Sequence, residues 1–170
     1  FMITHKELII ESTLQLLKGS GGDTFSVSQV AAAAAIEPVE LERYFAGKAA
    51  LLSAAATWFL ETQCSCYNRC QLQRSGYLQQ DLRLWLIELL QYRESDGCAA
   101  VFKALWATAL HNQDLHLLLD QYYRQLQQII NSKLQLTAPE NCPLSRIESA
   151  GCSLLSFFEG YGLMHGALCI

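Results

Sequence analysis

SVSQVAAAAAIEPVELERYFAGKAAL, residues 26 to 51, is the stretch whose reading decides the fold. Ser26 followed by Gln29 forms a capping box, each side chain satisfying the other's backbone N–H, and it opens a helix at Val27. Val30 and the alanine run leave that helix slim enough to pack closely, and the turn falls near Ala35 and Ile36. Pro38 suits the first position of a second helix, where its missing N–H costs nothing. Leu41, Phe45 and the Ala46-Gly47 break hold this helix to about two turns. Short helix, tight turn and second short helix together spell a helix-turn-helix, a unit whose second helix enters the DNA major groove.

Working upstream, Thr4 and Glu7 form another capping box and open a first amphipathic helix through ELIIESTLQLLKGSGGDTFSV. A glycine-containing turn follows, then Asp23-Thr24-Phe25-Ser26-Val27. Downstream, Leu41-Glu42-Arg43-Tyr44-Phe45 is followed by Lys48 and Ala50-Leu51. This region resembles the TetR family of bacterial transcription regulators, matching its Asp-x-x-[Ser/Thr]-Val lead and its Leu-Tyr-x-Tyr-Phe-x-x-Lys-x-x-Leu signature. The match covers roughly the first third of the chain; the remainder agrees in length and helical pattern. The resemblance implies an all-α protein: a three-helix head with the helix-turn-helix over residues 1–47, and a larger helical body for ligand binding and dimerisation over 48–170. It also implies a ligand-responsive repressor that binds double-stranded operator DNA as a homodimer.

Carried over residue by residue, the resemblance places Ser26, Tyr44 and Lys48 against phosphates and makes Pro38, Val39, Glu40 and Arg43 the base-reading face. Arg43 can pair with guanine through two hydrogen bonds, and Val39 can touch a thymine methyl. Charge opposes this assignment. Residues 1–52 hold four Lys and Arg against six Asp and Glu, a net charge of −2. Glu37, Glu40 and Glu42 lie on or beside the reading helix, where phosphate neutralisation normally supplies much of the affinity. Glu37 also suits the positive end of the helix dipole. Phe1 ahead of Met2 reads as a tag remnant or a trimmed start; either a basic arm ahead of it compensates, or the protein binds DNA weakly, or the head has lost DNA binding. The alternative is a TetR-like dimer that has lost DNA binding and acts through protein or small-molecule binding.

Composition fits a protein with a covered surface. Apolar residues make up 51% of the chain and charged ones only 16%, sparse for an ordinary soluble exterior. No apolar run is long enough to span a bilayer and no signal peptide is visible. Seven cysteines are an odd number, and they sit inside helical patterns rather than in a secreted disulfide scaffold. A reduced, cytoplasmic protein is expected. No nucleophile elbow, phosphate loop, zinc-protease motif or dinucleotide fingerprint appears, so neither an enzyme nor a cofactor is expected.

Periodicity predicts five helices in the body: Lys48 to about Leu72, Tyr77–Arg93, Cys98–His111, Asp114–Leu136 and Leu144 to about Cys169. The last is rich in glycine, and small residues at its surface predict close approach of another helix. Because family members dimerise through their last two long helices, Leu155, Phe158, Gly160, Gly162 and Met164 are expected at a two-fold interface. Trp58, Phe59, Tyr67, Trp85, Phe102, Trp106 and His111 lie on helices that enclose an effector pocket in the family. They suit an apolar or aromatic small molecule, with ordinary core as the alternative. Cys64 points roughly opposite Cys66 and Cys70, which argues against one metal ion collecting all three. Small buried hydrophobes are the first expectation there, and a redox-sensing thiol the second.

Overall fold

The computed structural model describes residues 4–20, 24–72, 75, 77–94 and 97–168, except the side chains of 78, 93, 94 and 161–168. Among the described residues there are eight helices and no strand: α1 His5–Ser20, α2 Val27–Ala33, α3 Pro38–Tyr44, α4 Lys48–Arg69, α5 Leu78–Glu94, α6 Cys98–Ala109, α7 Gln113–Thr137 and α8 Leu144–Leu168. None of these helices is long and apolar enough to cross a membrane. The chain divides into two compact units, Phe1–Glu61 with Ala100–Leu119, and Thr62–Ala99 with Asp120–Ile170.

The first unit is built on α1 to α3. At the start of α1 the Glu7 carboxylate accepts from the Thr4 backbone N–H at 2.8 Å and from its hydroxyl at 2.9 Å. Those two hydrogen bonds hold Glu7 below the ordinary carboxylate range. Ile9, Leu17, Val30, Leu41 and Leu51 are fully buried, and α2 packs on both α1 and α3. This is the spacing the sequence predicts for inward faces. Phe59 of α4 meets Phe102 of α6 edge to face, centroids 5.0 Å apart, a geometry worth about 0.5–1.5 kcal/mol beyond burial.

The second unit buries Tyr67, Trp85, Leu89, Leu126, Ile130 and Phe158, and α5 packs on α8. Asp81, itself buried, accepts from the Ser75 backbone N–H at 2.9 Å and hydroxyl at 2.7 Å, fixing the entry to α5. Helices α7 and α8 approach closely at Gly151, where an added Cβ would collide with the Asn131 carboxamide. Tyr123 donates its hydroxyl to Glu159 at 2.8 Å across the same pair. The small residue at Gly151 thus serves packing within the chain, whereas space around Gly160 is open.

Candidate nucleic-acid interface

The helix-turn-helix forms where the sequence places it, and the reasons are local. Ser26 caps α2: its hydroxyl accepts from the Gln29 backbone N–H at 3.2 Å, and the Gln29 carbonyl oxygen accepts from the Ser26 N–H at 2.8 Å. Helix α2 ends in a Schellman turn, with Ile36 N–H donating to the Ala31 carbonyl at 3.0 Å and Ala35 N–H to that of Ala32 at 3.2 Å. That closure requires a left-handed residue, and Ala35 supplies it at φ +53°. The pause is brief: Glu37 is extended, Pro38 starts α3 and Phe45 ends it in an extended conformation. Gly47, at φ +91°, then turns the chain into α4.

Pro38, Val39, Arg43 and Tyr44 are exposed on α3, Val39 to 66% and Tyr44 to 44%, while Leu41 is buried beneath them. Ser26 is exposed at the start of α2. The Lys48 ammonium lies 5.0 Å above the ring of Phe25, the residue before Ser26. This cation–π contact brings the first-turn lysine of α4 beside the cap of α2. Two of the three residues expected against phosphate are therefore neighbours in space, and Tyr44 ends α3 four residues before Lys48 opens α4. The exposed Ser26 hydroxyl and Tyr44 phenol and the half-buried Lys48 ammonium can donate to phosphate oxygens while the outer face of α3 meets base edges.

One contact had no sequence signal. Glu40 accepts or shares a hydrogen bond with His5 Nδ1 at 2.9 Å, linking the start of α1 to the reading helix across 35 positions of chain. Glu37 and Glu42 remain exposed at the surface of α3.

The residues expected around an effector divide between the units. Trp58, Phe59, Phe102, Trp106 and His111 lie in the first; Tyr67 and Trp85 lie in the second. Phe59, Tyr67, Trp85 and Phe102 are buried, Trp106 is half-buried, and Trp58 and His111 are exposed. Trp85 is 1% exposed, and its indole N–H has no hydrogen-bond partner among the described residues. A groove of about 660 Å³ runs along α5 between Tyr77, Gln80, Arg83, Leu84 and Ile87, none of which belongs to that aromatic set. At the expected dimer surface Leu155 and Gly160 are half-buried, and Phe158 is buried within its own chain. Phe157, beside it, is 55% exposed. Gly162 and Met164 lie on α8, with their side chains outside the described residues.

No family model matches the chain. A curated relative, an uncharacterized HTH-type transcriptional regulator in the dhlA 5′ region of Xanthobacter autotrophicus, is 28% identical over 161 residues, covering 92% of this chain and 77% of the relative. A TetR transcription regulator from Haloarcula marismortui superposes with a TM-score of 0.74 at 18% identity, covering 96% of this chain and 87% of that one. GusR of Salmonella enterica gives a TM-score of 0.72 at 18% identity, covering 93% of this chain and 81% of its own.

Proposed function

From a chain with the all-helical TetR fold, we propose a ligand-responsive repressor that binds operator DNA as a homodimer. Residues 1–47 form its reading head and residues 48–170 its ligand-binding and dimerisation body. The observation that carries this reading is the exposed outer face of α3 flanked by Ser26, Tyr44 and Lys48, with Leu41 anchoring the helix from beneath. In this reading Lys48 and Tyr44 fix the helix against the backbone, and Arg43 and Val39 read the bases. Two heads related by a two-fold axis reach successive major grooves when they are about 34–36 Å apart. An effector represses or releases only through a difference in affinity between the two spacings. The buried indole N–H of Trp85 favours an effector that carries a hydrogen-bond acceptor on an apolar or aromatic frame.

The exposed carboxylates of Glu37 and Glu42 favour a second reading, a dimer of the same fold that binds a protein or small molecule instead of DNA. Selection of DNA from a random pool by the chain with its native N-terminus, followed by affinity measurement across a salt series, separates the two. The repressor reading expects a preferred site and a log–log salt slope steepening by about 0.9 per phosphate contacted. Failure to retain any DNA at low salt overturns it.

A further inference from the structure

The end of α4 holds a group of side chains that DNA reading does not use. Cys66 and Cys70 stand one helical turn apart, with Cys98 at the first turn of α6 in the same compact unit. Arg69 donates from its guanidinium to the Cys66 sulfur at 3.0 Å. The Tyr92 hydroxyl is hydrogen-bonded to the same sulfur; burial first, and then that thiol, push the phenol above its ordinary range. Burial, followed by the adjacent Glu88 carboxylate, pushes the Cys70 thiol up. Gln63 donates to the Cys98 sulfur at 3.7 Å. Lys133, reaching over from α7, donates to the carbonyl of Cys70 at 2.7 Å and to that of Asn68 at 3.0 Å. Arginine can only donate and keeps its positive charge, so the guanidinium favours attack by the Cys66 sulfur, which is itself 6% exposed.

We propose that Cys66 is a hydroperoxide-reactive thiol whose oxidised form is captured by Cys70, one turn away at the end of α4. In the first step the Cys66 sulfur attacks the terminal peroxide oxygen. The O–O bond breaks, that oxygen stays on sulfur as a sulfenic acid, and the thiol proton leaves with the other oxygen as water or an alcohol. Sulfur loses two electrons and the hydroperoxide gains them. In the second step the Cys70 sulfur attacks Cys66, forming a disulfide and releasing the hydroxyl and the Cys70 proton as water. Four residues of helix separate α-carbons by roughly 6 Å along the axis, within the span a disulfide bridges.

The location makes the step a switch. Helix α4 ends at Arg69, and Cys70 is held to it by its N–H on the Cys66 carbonyl at 3.0 Å. Side chains one turn apart have β-carbons about 5–6 Å from each other, whereas a disulfide draws them to about 3.8 Å. Closing the bond therefore pulls Cys70 inward and takes its carbonyl from Lys133, releasing the tie between α4 and α7. This proposal stands independently of whether the chain binds DNA.

The test is oxidation of the reduced full chain with a limiting amount of hydrogen peroxide or an organic hydroperoxide, followed by alkylation and peptide mass spectrometry. A Cys66–Cys70 link is expected while Cys142 and the exposed Cys152 still alkylate. In Cys70→Ser the reaction should stop at a Cys66 sulfenic acid that dimedone traps. Arg69 is exposed, so Arg69→Gln should leave the melting temperature unchanged and slow the loss of Cys66 about tenfold. Consumption of Cys152 before Cys66, a wild-type rate in Arg69→Gln, or a dominant Cys66–Cys98 link each overturns the proposal.

Discussion

Replacing Ala35 with glycine isolates the backbone strain stored in the turn of the helix-turn-helix. Ala35 sits at φ +53° because the Schellman closure of α2 needs a left-handed residue there. Its Cβ costs about 1–2 kcal/mol in that region. Glycine removes this cost, and Ala35 is exposed, so deleting its methyl sacrifices no packing. Against the gain stands the greater freedom of glycine in the unfolded chain, about 0.5–1 kcal/mol. The net expectation for Ala35→Gly is stabilisation by about 0.5–1 kcal/mol, or roughly 1–4 °C in melting temperature for a chain of this size. Ala35→Val should move the other way and further, since a β-branched side chain tolerates a positive φ worst. Thermal unfolding followed by circular dichroism reads both variants under identical buffer conditions. A glycine variant melting at or below wild type, beside a neutral valine variant, would show that residue 35 is not left-handed in solution.

Lys48→Ala should weaken binding to every DNA sequence about equally and flatten the salt dependence by roughly one unit of slope, while Arg43→Ala should cost about 1–3 kcal/mol on the preferred site and relax base preference; a salt series on matched and scrambled DNA checks both. Phe157→Asp should shift the proposed dimer toward monomer in sedimentation, because it puts a charge where the exposed ring is 55% accessible; unchanged association would move the interface elsewhere. Glu7→Gln should narrow the pH dependence of stability. The Thr4 hydrogen bonds depress the folded carboxyl below its ordinary 4.5, so their contribution is present above that value and is lost as pH falls through the depressed one. The melting-temperature gap between wild type and Glu7→Gln should therefore close on acidification.

The head was legible because its decisive signals are local. Two capping boxes, Ser26 with Gln29 and Thr4 with Glu7, form as their spacing requires, and Pro38 stands at the start of α3. Long apolar periods placed the body helices within a few residues; the last turns of α4 and α6 end earlier than the periodicity suggested, as fraying ends commonly do. Asn112, whose carboxamide accepts from the Leu115 N–H at 3.1 Å, caps α7, which begins at Gln113, one residue ahead of the expected Asp114. What the sequence withheld depends on distant pairs. Nothing in the spacing of Phe157 and Phe158 says which ring turns inward; in the fold Phe158 is buried and Phe157 is 55% exposed. Likewise the Arg69 contact to Cys66 needs a rotamer, not a motif, and the tie from Lys133 spans more than sixty positions of chain.

The His5–Glu40 contact changes the electrostatic argument about the reading helix. Read from sequence, three carboxylates face the phosphates. In the folded head one of them, Glu40, is engaged by the His5 ring at 2.9 Å, with 36% of its side chain accessible. The exposed carboxylates are then Glu37 and Glu42, beside Arg43 on the same helix and Lys48 at the start of the next. Interactions between such exposed charges are weak and screened over about 8–10 Å at ordinary salt. Lys48, held over the Phe25 ring, loses less freedom on meeting a phosphate than a loose lysine would. In a head that binds DNA as proposed, the two remaining carboxylates therefore oppose the phosphates only weakly, and the site is selected by the contacts that only matching bases provide.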